Sequence, residues 1–281
     1  MEWNNIIFAV VVFAVLGGAI GAMLAVASKV FAVPRNEKAE LIAEVLPGAN
    51  CGGCGFSGCA ALAEAVANGK AKPNSCTVGG AEVTEKVAAI MGVEAGKTVK
   101  MRAQVMCSGA HDVSKQKYDY QGITDCRSAM QLGGGSRLCP NGCIGLGTCA
   151  AECPFDAIVV ENGVAFVDYK KCQGCGICVN VCPKNIIKLI PFDSKHWVGC
   201  MSVDKGPVTR TYCDVGCIGC HLCEKVCEAG AIKVDGFLAS IDYDKCTGCD
   251  KCVEKCPRKI IWSGESQARG PVIRIAPDKQ D

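Results

Sequence analysis

Two stretches of the chain, "CQGCGICVNVCP" at residues 172–183 and "CTGCDKCVEKCP" at residues 246–257, repeat one cysteine spacing. A third run at residues 217–227 has the same spacing, with Glu228 in place of the proline. Thiols arranged in C-x2-C steps suit a metal, whereas disulfide scaffolds at such cysteine density belong to short secreted chains. With 24 cysteines in 281 residues and 6% aromatic residues, the chain is predicted to be held together by metal centres and not by one large core.

The spacing C-x2-C-x2-C-x3-C-P is that of bacterial ferredoxins, in which the fourth cysteine binds the second cluster of a pair. Four thiolates per site fit a [4Fe–4S] cluster, and this spacing disfavours zinc. A zinc-binding interaction scaffold is therefore the weaker alternative. The runs predict iron–sulfur clusters that carry electrons.

A shift of 74 residues superimposes two halves of this region. Nine cysteines match without a gap: Cys126, Cys139, Cys143, Cys149, Cys153, Cys172, Cys175, Cys178 and Cys182 correspond in order to Cys200, Cys213, Cys217, Cys223, Cys227, Cys246, Cys249, Cys252 and Cys256. Between the motifs, residues 156–172 and 230–246 each contain two β-rich runs around an Asn-Gly or Asp-Gly turn signal. The repeat predicts a tandem of two ferredoxin-like units, each with a central hairpin.

The two units differ in their leading motifs. The first has "GCIGLGTC" at residues 142–149 and the second has "GCIGCHLC" at residues 216–223, so Leu146 stands where the twin has Cys220. A cluster held by three cysteines needs another ligand, and Cys139 is the nearest candidate. His221 is interpreted as a bystander, because its motif is complete without it.

These spacings predict four clusters in the two units. The predicted ligand sets are Cys139, Cys143, Cys149 and Cys182; Cys153, Cys172, Cys175 and Cys178; Cys217, Cys220, Cys223 and Cys256; and Cys227, Cys246, Cys249 and Cys252. Four cysteines remain: Cys107, Cys126, Cys200 and Cys213. They are either buried free thiols or the ligands of a sixth cluster between the units, which would require a particular packing of domains.

A further cluster is predicted upstream, in the glycine-rich loop "CGGCGFSGC" at residues 51–59. Cys51, Cys54, Cys59 and Cys76 form a C-x2-C-x4-C-x16-C pattern. Glycine lets amide N–H groups approach the sulfurs of an iron–sulfur cluster, although zinc also accepts four sulfurs. A short amphipathic helix capped by Asn36 precedes the loop, and an alanine-rich helical stretch follows it. The total is five [4Fe–4S] clusters, or six if the leftover cysteines bind one.

The amino-terminal stretch 3–28 contains no charge and is long enough to span a membrane as one helix. A cleaved signal peptide is the alternative, but Glu2 and the lack of a basic residue before the apolar run disfavour it. Lys29, Arg35 and Lys38 come after the run, so the remainder is expected on the cytoplasmic side of the plasma membrane. No ionisable side chain lies inside the span, which gives this chain alone no path for an ion.

The predicted fold class is α+β. Residues 1–33 form a transmembrane anchor, 34–98 a small and mainly helical iron–sulfur domain, 99–195 and 196–265 the two ferredoxin-like units, and 266–281 a tail. This combination resembles the B subunit of the Rnf complex, the membrane-bound ferredoxin:NAD oxidoreductase that couples electron transfer to sodium or proton translocation. The tandem of two units is similar to the longer form of anaerobes such as clostridia.

The resemblance implies a polyferredoxin that accepts electrons from soluble ferredoxin and relays them to partner subunits, which hold the flavin, NAD and ion chemistry. The chain has no P-loop, dinucleotide fingerprint or nucleophile motif of its own, and nothing indicates nucleic-acid binding. An electron-supply subunit of a membrane hydrogenase or carbon-monoxide-oxidising complex is the alternative. Five lysines near the motifs either offset the negative charge of the clusters and help to dock an acidic ferredoxin, or are ordinary solvated surface: Lys171, Lys184, Lys245, Lys251 and Lys255.

Overall fold

The computed structural model describes residues 3–30, 36–96 and 98–264. Helix α1 spans Trp3–Val30 and contains the predicted membrane segment. Its stretch Ile7–Lys29 is long and apolar enough to cross a membrane, with a hydropathy of 2.6, and none of its apolar window is buried. Because these side chains bury nothing against their own chain, they need lipid or a partner helix around them. Arg35 and the predicted tail at 266–281 lie outside the described residues.

A small helical domain comes after α1. It contains helices α2 (Glu37–Val45), α3 (Cys59–Ala67) and α4 (Gly80–Met91), with a short 3-10 helix at Pro73–Ser75. The predicted cap is confirmed, because Asn36 Oδ1 accepts the Lys38 N–H at 3.1 Å. The helices pack around a core that includes Ile42, Leu62 and Val87. Cys76 is a buried member of this core, and Cys54 and Cys59 pack against it.

Two repeats of one strand–helix arrangement make up the rest of the described chain. The first repeat contains β1 (Met101–Val105), α5 (Cys126–Met130), α6 (Thr148–Ala151), β2 (Ile158–Glu161), β3 (Val164–Val167), α7 (Ile177–Val181) and β4 (Ile187–Pro191). The second contains β5 (His196–Val198), α8 (Gly206–Tyr212), α9 (Leu222–Lys225), β6 (Ile232–Asp235), β7 (Leu238–Ile241), α10 (Lys251–Lys255) and β8 (Ile261–Ser263). Mixed helix and strand content agrees with the predicted fold class.

In each repeat the outer strands pair with each other and the inner strands form a hairpin. Strand β1 pairs antiparallel with β4 and β2 with β3; in the second repeat β5 pairs with β8 and β6 with β7. The predicted hairpins are confirmed. Asn162 and Gly163 both have positive φ in the first turn, whereas Gly236 alone does so in the second, because Asp235 still belongs to β6.

The two repeats pack directly against each other. Within the second repeat, Trp197 stacks on Trp262 with ring centroids 6.4 Å apart. The Arg102 guanidinium from the first repeat lies 5.5 Å from the Trp197 ring. The Trp262 Nε1–H donates to Ser108 Oγ at 3.0 Å, which ties the end of the second repeat to the segment after β1. The segments that lead from β1 to α6 and from β5 to α9 therefore face each other between the repeats.

Candidate metal centres

All 24 cysteines are free thiols, and they gather in groups. In the small helical domain, Cys59 begins α3 and Cys76 comes directly after the 3-10 helix, so the fold returns Cys76 to the glycine-rich loop. Burial raises the pKa of Cys76, and the nearby thiols of Cys59 and Cys54 raise it further, while the Gly79 N–H donates to its sulfur at 3.3 Å. Cys51 lies in the same loop, on the side that faces the first repeat.

The thiols of the predicted second set of the first repeat are neighbours of one another. Burial raises the pKa of Cys178 to about 12, with further increases from Cys172, Cys175, Cys149 and Cys153, of which Cys149 belongs to the leading site. The Ala103 N–H of β1 donates to Cys172 Sγ at 3.4 Å. Helix α7 and strand β1 thus position the cysteines of one short run, and the fold brings Cys153 near them.

The leading site of the first repeat has a composition that its spacing did not predict. A cavity of about 400 Å³ is lined by four cysteines, and these are Cys126, Cys143, Cys149 and Cys182. Burial raises the pKa of Cys149 to about 12, with Cys126 and Cys182 as the neighbouring thiols that add to the shift. Cys139 does not line this cavity. Instead Cys126 supplies the thiol beside Leu146, and the two residues belong to the same apolar cluster.

Helix α5 brings Cys126 to this cavity. Asp125 caps the helix by accepting the Ser128 N–H at 2.8 Å, and its other carboxylate oxygen accepts the Thr148 hydroxyl at 2.9 Å. The Thr148 hydroxyl in turn accepts the Cys126 N–H at 2.6 Å. These contacts fix the start of α5 against the start of α6. Sequence spacing carried no signal for this contact, because Cys126 precedes its motif by a long irregular segment.

Cys139 lines a different cavity, of about 350 Å³, between the two repeats. The cysteines around it are Cys107, Cys139, Cys200 and Cys213. Burial raises the pKa of Cys139 to about 12, and Cys107 and Cys213 are the thiols that raise it further. Burial also raises the pKa of Cys200 to about 12, again with Cys107 as a neighbour.

The second repeat brings its two predicted sets together. Burial raises the pKa of Cys223 to about 12, and the contributing thiols are Cys217, Cys256 and Cys220. Burial raises the pKa of Cys252 to about 11, and the contributing thiols are Cys246, Cys227 and Cys249. The Ala231 N–H donates to Cys227 Sγ at 3.2 Å. Cys220 and Cys249 are exposed, so both sites of this repeat reach the surface.

Side chains beside these sites have partners within the chain. His221 shares a hydrogen bond of 2.7 Å with Glu224, on the surface and away from ligation. Glu228, which replaces the motif proline, accepts Lys251 Nζ at 2.5 Å. Lys245 pairs with Asp242 at 2.7 Å. Two of the lysines proposed for docking are therefore already paired with acids of their own chain.

The groups fit iron–sulfur clusters. Buried thiols with raised pKa values become thiolates only when a positive core lies among them, and backbone N–H donors to sulfur are the contacts that stabilise such thiolates. Among the described residues, no three or more Cys, His, Asp or Glu side chains converge on the position of a single metal ion. Four thiols around a cavity, as at the sites lined by Cys126 and by Cys139, provide the donor set that a [4Fe–4S] cluster requires.

Comparison with known proteins supports this assignment. Residues 46–78 match a family profile for an Fe-S cluster, residues 165–188 a 4Fe-4S binding domain, and residues 216–261 a 4Fe-4S dicluster domain. The chain is 47% identical, over 92% of its length and 78% of the relative, to the B subunit of the Na⁺-translocating ferredoxin:NAD⁺ oxidoreductase complex of Acetobacterium woodii.

Two other relatives are similar over nearly their whole length. The B subunit of the ion-translocating oxidoreductase complex of Methanosarcina acetivorans is 45% identical over 91% of this chain and 97% of the relative. The B subunit of the proton-translocating ferredoxin:NAD⁺ oxidoreductase complex of Clostridium ljungdahlii is 42% identical over 93% of this chain and 94% of the relative. They favour this kind of complex over a hydrogenase or a carbon-monoxide-oxidising complex. The chain belongs to the B-subunit family of ion-translocating oxidoreductase complexes, the Rnf family.

Proposed function

We propose that this chain is a membrane-anchored polyferredoxin that accepts electrons from reduced soluble ferredoxin and relays them to partner subunits of the complex. Ferredoxin and NAD⁺ appear in the names of two relatives. The observation that carries the proposal is the succession of cysteine groups along the chain, from the helical domain through both repeats. Such a succession suits a chain of electron-transfer sites, which we call the wire, and not a single catalytic site, because clusters exchange one electron at a time.

One end of the wire lies at the domain next to α1. A Cβ placed on Gly53 would collide with the backbone carbonyl of Cys175, so the glycine-rich loop lies directly on the first repeat. Burial raises the pKa of Cys175, and the nearby Cys51 thiol raises it further. This contact supports transfer between the site of the helical domain and the nearer site of the first repeat.

The other end lies in the second repeat, where Cys220 and Cys249 are exposed. An exposed ligand lets a soluble donor bring its own cluster close, which a buried ligand does not. We therefore propose that electrons enter at the second repeat and leave through the helical domain towards the membrane subunits.

The anchor supports a single-pass arrangement in the plasma membrane. Lys29 ends the apolar part of α1, and Lys38 lies in α2 soon after it. Basic residues on this side of a span favour a cytoplasmic location for the domains after it. All the cysteine groups then lie in the compartment that contains soluble ferredoxin, while ion movement belongs to partner subunits.

The chain's own residues contribute ligands and their surroundings. A bound [4Fe–4S] cluster supplies a site that takes up and gives back one electron. The thiolates hold it in place, and the N–H donors to Cys76, Cys172 and Cys227 lower the charge on their sulfurs. Such hydrogen bonds, together with burial, set the reduction potential of each site.

The route is tested by removing the last site before the membrane subunits. In the assembled complex, Cys51→Ala with Cys54→Ala removes two ligands of the helical domain, and we expect NAD⁺ reduction to be lost. Reduced ferredoxin should still bleach the visible absorbance of the remaining clusters. Ser57→Ala changes an exposed residue of the same loop and is the control. It should keep both NAD⁺ reduction and the bleaching of the clusters by reduced ferredoxin. Undiminished NAD⁺ reduction in the double variant would contradict the proposed route.

A further inference from the structure

We propose that the cavity between the two repeats holds a sixth [4Fe–4S] cluster, bound by Cys107 and Cys139 of the first repeat and Cys200 and Cys213 of the second. Cys126 then takes the place in the first repeat that the spacing assigned to Cys139. This proposal rests on the chain being an iron–sulfur electron carrier, as proposed above, but not on the identity of its donor. All 24 cysteines then divide into six sets of four with none left over.

The cavity resembles the leading site of the first repeat in size and lining. The empty space between its lining residues is about 350 Å³, with the solvent at its mouth included, compared with about 400 Å³ on the same measure for the cavity around Cys126. Several glycines line it and leave room beside the sulfurs. A Cβ on Gly142 would lie 3.3 Å from the Cys139 Cβ, and a Cβ on Gly109 would lie 3.6 Å from Cys107 Sγ.

Cys107 and Cys200 have equivalent places in the two repeats. Each lies just after the first strand of its repeat, and each sulfur accepts the N–H of the residue two positions later, Gly109 or Ser202, at 3.4 Å. Each sulfur also accepts the N–H of the first cysteine in the leading motif: Cys143 N–H donates to Cys107 at 3.4 Å, and Cys217 N–H donates to Cys200 at 3.3 Å. The matching donor pattern indicates one ligand role for both cysteines.

The 74-residue shift therefore paired Cys200 with the wrong cysteine. Cys139 comes 32 residues after Cys107, but Cys213 comes only 13 residues after Cys200. The longer segment of the first repeat carries Cys126, which has no counterpart of its own in the second repeat. A gap-free alignment matched Cys126 with Cys200 by distance along the chain and missed the equivalence with Cys107.

The repeats are held together around this cavity. The Lys115 N–H donates to the Tyr212 carbonyl at 2.9 Å, and the Asp214 N–H donates to the Val113 carbonyl at 2.8 Å, so these backbone bonds flank Cys213 on both sides. Next to Cys107, the hydroxyl oxygen of Ser108 accepts the Trp262 Nε1–H. Ligands so far apart in sequence need a defined packing of the two repeats, and these contacts provide it.

Two basic side chains at equivalent positions contact the backbone at or next to two of these cysteines, and Lys184 also lines the leading-site cavity of the first repeat. Lys184 and Arg258 each stand two residues after the last cysteine of their repeat. Lys184 Nζ donates to the Pro140 carbonyl at 2.6 Å, and Arg258 Nη2 donates to the Cys213 carbonyl at 2.9 Å. Four thiolates around an oxidised cluster core carry a net charge of about −2, which nearby cations stabilise.

This cluster makes the wire continuous. Cys143 belongs to the leading site of the first repeat and touches Cys107, while Cys217 belongs to the leading site of the second repeat and touches Cys200. The shared site thus lies between the two leading sites. In each transfer, the donating cluster loses one electron and is oxidised, and the receiving cluster gains that electron and is reduced. No proton is transferred and no bond changes.

Iron analysis of the full-length chain, purified anaerobically in detergent and reconstituted, tests the proposal directly. We expect about 24 iron atoms per chain, and about 20 would overturn it. This count needs no variant to fold and no ferredoxin or NAD⁺, so it stands apart from the test of the electron route.

Two variants identify the ligands. Cys139→Ala and Cys200→Ala should each lose about four irons, and the double variant should lose no more than either single one, because both remove the same cluster. Tyr212→Phe, which alters the lining of the same cavity without removing a thiol, should keep all of them. If Cys200→Ala retained every iron while Cys139→Ala lost four, the shared cluster would be excluded and Cys139 would belong to the first repeat alone.

Discussion

The two repeats have the same strands and the same cysteine runs, but they differ in how much of each site is covered. In the first repeat, Leu146 and Cys126 lie together in an apolar cluster, and Cys175 lies under the glycine-rich loop. The residues 74 positions after Leu146 and Cys175 are Cys220 and Cys249, and both are exposed. Every cysteine of the first repeat is therefore buried or half-buried, whereas the second repeat presents two cysteines to solvent.

This difference separates two tasks. An enclosed cluster is protected from solvent and exchanges electrons with its neighbours in the chain, while an exposed one can exchange them with a soluble protein. In the assignment that we propose, Leu146 in place of a cysteine does not remove a site. The fourth ligand is instead Cys126 of α5, which lines the cavity of the leading site.

The largest expected effect comes from this moved ligand. Cys126→Ala should remove about four irons, because the leading site of the first repeat then retains three thiols. Adding Leu146→Cys to that variant should restore the irons, since residue 146 occupies the place that Cys220 holds in the second repeat and lies beside Cys126. Iron content and the electron paramagnetic resonance signal of the reduced protein measure both effects.

Leu146→Ala is the matched control, and it should leave the iron content unchanged. If Cys126→Ala kept all its irons, another residue would complete this site, and the comparison between the repeats would lose its basis. Failure of Leu146→Cys to restore them would mean that α5 has moved the site away from its position in the twin motif.

The sequence predicts those parts of the structure that depend on residues close together along the chain. The runs around Cys172 and Cys246 place their thiols within one short loop and helix, so spacing alone groups them. The hairpins are predicted by turn residues next to β-rich runs. Asn36 caps α2 because the residue and its donor lie two positions apart.

The parts that it could not predict depend on packing between distant segments. Cys126 reaches its cavity through the contact of Asp125 with Thr148, and Cys107 reaches Cys200 only because the repeats pack face to face. One weak signal was present: Cys107 and Cys200 both lie just after the first strand-like run of a repeat, at residues 101–105 and 196–198. Alignment on strands would have paired these cysteines where alignment on cysteine spacing did not.

A second, smaller effect concerns the cover over Cys175. Gly53→Ala places a methyl group against the Cys175 backbone, which cannot yield as a flexible side chain would. Such overpacking costs about 1–3 kcal/mol, so the helical domain should dock less tightly on the first repeat. Limited proteolysis should cut the connection between the domains faster, at the exposed residues Val93 and Glu94.

The same variant should keep its full iron content, because every ligand is retained. Ser57→Ala, in the same loop but exposed, should be cut at the wild-type rate. An unchanged rate for Gly53→Ala would show that the loop does not cover Cys175 in solution, and the first repeat would then be as open as the second.

The smallest expected effect lies on the exposed side of the comparison. Lys255 precedes Cys256 in the second repeat and Lys171 precedes Cys172 in the first, and both side chains are exposed. If an acidic ferredoxin docks at the second repeat, Lys255→Glu should raise its KM by roughly fivefold, the equivalent of about 1 kcal/mol for one surface charge contact. Lys171→Glu makes the same charge change beside the covered repeat and should leave KM within experimental error.

The Lys255→Glu effect should also shrink as salt is added, since exposed charges more than about 10 Å apart are screened at 0.1 M. Equal increases for both variants would mean that the docking surface extends over both repeats, and the exposure of Cys220 and Cys249 would no longer explain where electrons enter.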